Sequence, residues 1–203
     1  MLEPIDPRRA ALLIIDLQND FLDAAGAYAR GASVSAAAQE LPSRVAGLAR
    51  SLKSAGGLVA ASQFTLWPDQ RGEPMVSPHL LALRPFLRRG DFAPGSWGQR
   101  NVDVLQAVID IIVQKVAYSA FFNTQLDWVL RRAGIETVIV CGIVTNGGVA
   151  SSVRDAHLRD YRVIVLQDAC AAFDDTRHAN ALADMQTVAE LSNCADLAAA
   201  LHT

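Results

Sequence analysis

The chain has 203 residues, of which 51% are hydrophobic and 19% charged, with a formal net charge of -3. This is the length and composition of one packed globular domain, residues 1–203, and not of a disordered tail or a charged binding arm. The acidic balance offers no footprint for nucleic acid, and no apolar run approaches the ~20 residues of a membrane span.

Ala10–Ile15 is a short apolar run that ends at Asp16 and reads as a buried strand. Leu41–Ala55 places Leu41, Val45, Leu48 and Leu52 on one helix face, with Pro42 in its first turn. The Gly56-Gly57 turn leads into a second strand, Leu58–Ser62. Leu66–Arg100 is irregular and rich in Pro, Gly and Arg, a loop suited to shaping or covering a site. Asp110–Val113 is a third strand, just ahead of Lys115. Thr124–Ala133 is helical, with Gly134 as its C′ residue. Thr137–Cys141 is a fourth strand running into Gly142, and Gly148–Arg159 a helix with Val149, Val153 and Ala156 on one face. A fifth strand, Arg162–Leu166, a helix, Asp175–Ala183, and a sixth strand, Thr187–Leu191, complete the chain.

Continuous apolar strands alternating with helices predict a three-layer α/β/α sandwich around a mostly parallel sheet of about six strands. Ligands of such sheets bind beyond the carboxyl ends of the strands. Asp16, Lys115 and the turn Thr145–Gly148 all fall there, so three distant segments converge on one edge of the sheet.

Taken singly, Asp16 reads as a strand-end residue capping a turn, and Lys115 as a lysine reaching from a sheet end to solvent. Together they form an acid/base couple, in which the ammonium favours the carboxylate and burial opposes it. The segment Cys141-Gly-Ile-Val-Thr-Asn-Gly-Gly-Val149 ends a strand and opens a helix. Its Val144, Thr145, Asn146, Gly147 and Gly148 amides suit an oxyanion or carboxylate, or the glycines serve only a tight turn. The three cysteines, Cys141, Cys170 and Cys194, have neither disulfide nor zinc spacing and fit a reducing compartment. The opening MLEPIDPRRA is not a signal peptide, so the cytoplasm is the expected location. The four histidines, His79, His157, His178 and His202, lack ligand spacing. No metal and no cofactor are expected, and the partner is a small-molecule substrate.

Three segments carry a family resemblance: Ile14-Ile-Asp16-Leu-Gln18-Asn-Asp20-Phe21, Lys115-Val-Ala-Tyr118-Ser-Ala-Phe121, and Cys141-Gly-Ile-Val-Thr-Asn-Gly-Gly148-Val149. Arg154-Asp155-Ala156 and Asp168-Ala-Cys170-Ala follow in order. Over nearly its whole length the chain resembles the isochorismatase-like, or cysteine hydrolase, family. In the amidohydrolase branch the resemblance implies an Asp-Lys-Cys triad. Asp16 and Lys115 match its first two members, and Gly148 stands where the nucleophilic cysteine would be. In isochorismatases, which lack that thiol, the resemblance implies vinyl-ether cleavage with the aspartate delivering a proton. Tyr118-Ser-Ala-Phe-Phe122, Gln63 and Gln70-Arg71-Gly72 are similar to that branch, whereas Val144-Thr145-Asn146 is similar to the amidohydrolases. The resemblance further implies a cis peptide between Ile143 and Val144, and a homodimer or homotetramer. Candidate substrate contacts are Phe21, Gln63, Arg71, Trp97 and Tyr118.

The leading expectation is a thiol-independent hydrolase of a small carboxylated metabolite, of the vinyl-ether type, with Asp16 as acid/base beside Lys115. The alternatives are a C–N amidohydrolase whose nucleophile is lost at Gly148, and a ligand-binding pseudoenzyme.

Overall fold

The computed structural model describes residues 2–201; His202 lies outside the described residues. The strands are β1 (Ala10–Ile15), β2 (Leu58–Phe64), β3 (Ile111–Lys115), β4 (Thr137–Ile143), β5 (Arg162–Ala171) and β6 (Glu190–Ser192). The helices are α1 (Asn19–Leu22), α2 (Ala27–Arg30), α3 (Ala36–Ser54), α4 (Pro78–Leu83), α5 (Asp103–Gln106), α6 (Leu126–Arg132), α7 (Ala150–His157), α8 (Asp175–Met185) and α9 (Cys194–Ala200). A π-helical turn, Thr145–Val149, joins β4 to α7.

The strands form one parallel sheet in the order β3-β2-β1-β4-β5-β6. β1 is buried along its whole length, and its alternate residues face opposite sides of the sheet. Leu12 and Ile14 join the core under α3, α5 and α9, with Val45, Leu52, Leu105 and Leu197. Leu13 and Ile15 join the core under α6, α7 and α8, with Leu130, Val153 and Met185. The predicted three layers are thus present. The chain leaves β1 toward β2 and β3 on one side and resumes at β4 on the other. The crevice between the ends of β1 and β4 is therefore the switch point at which doubly wound sheets bind ligands.

Several boundaries differ from the sequence expectation. β2, β3, β4 and β5 run on past their apolar cores, and Lys115 is the last residue of β3 instead of lying beyond it. Polar residues such as Gln63 and Gln114 interrupt hydrophobicity without interrupting the ladder, where they pair with each other. The sixth strand is Glu190–Ser192, because Thr187–Ala189 turn out of α8, with the Val188 and Ala189 amides donating to Met185. α3 begins at Ala36, capped by the Ser35 hydroxyl, so Pro42 lies inside the helix and not in its first turn. The alanines Ala36–Ala38 carry no amphipathic signal, which is why the earlier start escaped the pattern. The helix expected over Gly148–Arg159 divides into the π-helical turn and α7. Gly134 is the C′ residue of α6, with φ +71°. The Gly134 amide donates to the Arg131 carbonyl and the Ile135 amide to that of Leu130.

Gly142 determines how closely β4 approaches β1. It pairs with Ile15 and has φ +114°. A Cβ there would meet the Ile15 carbonyl oxygen at 2.1 Å. Gly142→Ala is expected to destabilise the fold by about 2 kcal/mol or more, from combined strain and clash. Urea unfolding of the variant checks this.

Candidate functional site

Asp16 is the first residue beyond β1, and its φ of +52° turns the chain out of the sheet. Its carbonyl accepts from the Gln18 amide at 2.8 Å, closing the bend. The carboxylate reaches across β2 to β3. Ser62 of β2 donates to Asp16 Oδ1 at 2.7 Å, and Lys115 Nζ of β3 lies 2.6 Å from Oδ2. Lys115 also donates to the carbonyls of Ala117 and Tyr118, each at 3.0 Å. An ammonium group has three donors, and here each has an acceptor. The pair is buried, with Asp16 3% and Lys115 1% exposed, so it is shielded from solvent screening.

The turn after β4 closes the other side. Its Ile143–Val144 peptide is cis. The Val144 carbonyl accepts from the amides of Gly147 at 2.9 Å and Val149 at 3.3 Å. The Gly147 amide, expected to face a ligand, is therefore turned inward. Ser152 Oγ donates to the Gly148 carbonyl at 2.7 Å and accepts from the Ala120 amide at 2.9 Å. This fully buried hydroxyl ties the turn to the segment after β3. Thr145 Oγ1 lies 2.8 Å from His178 Nδ1, which ties the turn to α8.

Gly148 faces Asp16. A Cβ at this position would stand 3.3 Å from Asp16 Oδ2 and 2.9 Å from Ile15 Cγ2. None of the three cysteines lines the pocket described below. Cys141 and Cys170 are strand residues, buried like the core around them. Burial pushes the Cys141 thiol well above its ordinary value, and pushes that of Cys194 up to about 12. Such thiols are protonated and poor nucleophiles.

Asp16, Lys115 and Gly148 open into a chamber of about 290 Å³ with predominantly apolar walls, among them Phe21, Phe64 and Leu83. Of the expected substrate contacts, Phe21 and Tyr118 line it, and Gln63, Arg71 and Trp97 do not. Gln63 follows Ser62 in the strand and so points to the opposite face, where it donates to Asn101 Oδ1 at 2.9 Å. Arg71 sits in the surface loop between Pro68 and Pro74, with its carbonyl accepting from Arg89. Trp97 is held outward by its loop, since its carbonyl accepts from Asn19 Nδ2 at 2.8 Å and the neighbouring Gly98 carbonyl from the Asp20 amide at 2.9 Å.

The structure adds Ser62, Tyr28, His79 and Arg84. Arg84 Nε donates to the Tyr28 hydroxyl and Nη2 to the Tyr118 hydroxyl, both at 2.8 Å. Burial opposes the Arg84 charge, but the two phenols outweigh it and raise the group above its ordinary value. Burial also pushes the Tyr28 phenol up. A signal for Arg84 was present in the sequence: a lone cation closing the apolar run Leu80-Leu-Ala-Leu83, just before Pro85. Among the described residues, no three His, Cys, Asp or Glu side chains gather as a metal ion requires. No helix there is long and apolar enough to cross a membrane.

The strand order, with a buried acid–lysine couple at the switch point, defines a doubly wound α/β protein with a candidate site at the strand ends. A model of the isochorismatase domain matches residues 10–196. Ureidoacrylate amidohydrolase RutB of Caulobacter vibrioides is 35% identical over 179 residues, covering 82% of this chain and 78% of the relative. The crystal structure of a cysteine hydrolase from Pseudomonas syringae superposes with a TM-score of 0.84 at 26% identity, covering 99% of this chain and 96% of that one. N-carbamoylsarcosine amidase of Thermoplasma acidophilum gives a TM-score of 0.71 at 25% identity, covering 92% and 96%. The chain belongs to the isochorismatase family of hydrolases.

Removing one member of a buried ion pair strands the other, at a cost of about 3–5 kcal/mol. Lys115→Met is expected to destabilise the protein by that amount. In Asp16→Asn/Lys115→Met the loss should be smaller than the sum of the single losses, a coupling that a double-mutant cycle in urea measures. His178 gives a pH signature. Burial lowers its pKa below 6.5, against the opposing pull of Asp175. The unfolded chain therefore binds more protons below that value, so the contribution of the neutral imidazole is present above it and lost as pH falls. The Tm gap between wild type and His178→Gln should narrow from about pH 7.5 to about pH 5.

Proposed function

We propose that the chain is a thiol-independent hydrolase of a small carboxylated metabolite, with Asp16 as the acid/base and Lys115 as its ion-pair partner. The observation that carries this reading is that Asp16 and Gly148 border the same chamber, side by side. A Cβ at position 148 would stand 3.3 Å from Asp16 Oδ2, and no cysteine lines the chamber. A water molecule in the chamber beside Gly148 is within proton-transfer reach of the carboxylate.

Two bond types suit an acid/base acting without a thiol. An enol ether opens when protonated Asp16 gives its proton to the enol carbon and water adds to the resulting cation, returning a proton to Asp16; the hemiketal then collapses to the carbonyl product, breaking the C–O bond and releasing the alcohol. A C–N bond opens when ionised Asp16 takes a proton from water as the water oxygen bonds to the carbonyl carbon. The same proton then passes to the leaving nitrogen, and the carboxylate is regenerated. One Asp16 oxygen is on the Ser62 hydroxyl and the other on the Lys115 ammonium, an arrangement suited to a positioned base. These contacts favour the C–N route, and the relatives' names agree, since ureidoacrylate and N-carbamoylsarcosine are small acids with C–N bonds. Lys115, with its donors already occupied, holds and polarises the carboxylate instead of attacking substrate.

A mass-spectrometric screen of ureido acids, N-carbamoyl amino acids and carboxylated enol ethers in H₂¹⁸O tests the reading. Wild type should form a product carrying one solvent oxygen, and Asp16→Asn should lower kcat/KM about 10²–10⁴-fold. Full activity in that variant would overturn the assignment. A compound that raises Tm and is recovered intact, with no turnover across the screen, would identify a binding protein.

The geometry at position 148 also favours one second reading, an amidohydrolase without its nucleophile. Gly148→Cys would set a thiol beside Asp16, provided that Ile15 Cγ2 yields slightly. Under this reading the variant gains amidase activity and is alkylated at position 148 by iodoacetamide. Alkylation without any gain in turnover would exclude it.

A further inference from the structure

The inner chamber adjoins an outer one of about 370 Å³, and the two share Tyr28, Leu83, Arg84, Tyr118 and Val144. Arg84, half-buried at this boundary, donates to the hydroxyls of Tyr28 and Tyr118. The outer chamber is also lined by Arg177, together with Ser33, Asn146 and Asp174. Among the described residues, neither Arg84 nor Arg177 has a carboxylate partner, whereas most other arginines are in ion pairs. Asp174 is the one acid in the outer wall, and its Oδ1 already accepts the Arg177 amide at 2.7 Å, capping α8. In the inner chamber, Asp16 and Lys115 neutralise each other. The two chambers therefore keep two guanidinium groups, one at the boundary and one outside, with apolar Phe86 and Phe173 also in the outer wall.

We infer that the substrate carries two anionic groups, one on Arg84 at the boundary and the other on Arg177 in the outer chamber, so that its class is a derivative of a small dicarboxylic acid. This deepens the reading of a carboxylated metabolite and rests on it for the reaction, but the anion sites are tested by binding alone. A planar guanidinium grips a carboxylate through paired hydrogen bonds, and one such contact is worth about tenfold in affinity. Arg177 is exposed and touches neither Asp16, Lys115 nor Gly148, so its role is substrate selection.

Calorimetric titration of the full chain at constant ionic strength, with succinate, glutarate and adipate against the monocarboxylates of equal length, tests the inference. The best diacid should bind at least about tenfold more tightly than its monoacid. Arg177→Gln should erase that preference and leave monoacid binding unchanged. Arg84→Gln should weaken both classes about tenfold, and Arg84→Lys less. Equal binding of the two classes, no binding of either, or a preference that survives Arg177→Gln would overturn the inference. A diacid preference without turnover of any substrate would leave the two-anion pocket standing and remove the hydrolase reading. Turnover of monoacids without a diacid preference would do the reverse.

Discussion

The site is organised by one buried ion pair, Lys115 Nζ on Asp16 Oδ2 at 2.6 Å. Two charges without solvent are stable only when every donor and lone pair around them is answered. Here the answers come from separate segments: Ser62 from the strand between the two partners, and the Ala117 and Tyr118 carbonyls from the chain leaving β3. Among the described residues, no buried side-chain nitrogen or oxygen lacks a partner. The pair therefore holds the ends of β1, β2 and β3 in a fixed relation. The carboxylate borders the chamber beside Gly148.

The second constraint is the close approach of β4 to β1. Gly142 admits it by presenting no side chain to the Ile15 carbonyl, and the turn that follows is braced by Ser152 and His178. The turn is thus held from the segment after β3 and from α8, and not only by its own hydrogen bonds. Two of its amides, those of Gly147 and Val149, are turned inward on the Val144 carbonyl. Arg84 stands at the end of α4, inside the long stretch that borders the strand ends. The sheet positions the acid–lysine pair, and the segment between β2 and β3 positions Arg84.

The architecture was legible because burial on both faces leaves a direct mark, uninterrupted apolar runs such as Ala10–Ile15 and Thr137–Cys141, each closed by a residue of different chemistry. Asp16 and Lys115 stood out for the same reason, as charged residues at the ends of such runs. Strand lengths were less legible, because Gln63 and Gln114 break the hydrophobic pattern while continuing the ladder. Gln63 was expected in the pocket and lies on the opposite face, one residue from Ser62, which does reach Asp16. A one-residue difference reverses the face in a strand, and the sequence alone does not reveal which face bears the site.

The sequence by itself determined the alternating sheet, the acid, the lysine and the absence of a thiol at position 148, because each is a local property of residue type and position. Only the tertiary structure decided which groups meet: Ser62 with Asp16, Ser152 with the Gly148 carbonyl, and Arg84 with Tyr28 and Tyr118. The physical reason is that these contacts join residues far apart in the chain through side-chain direction and loop path. Neither hydrophobic periodicity nor residue spacing encodes those two quantities.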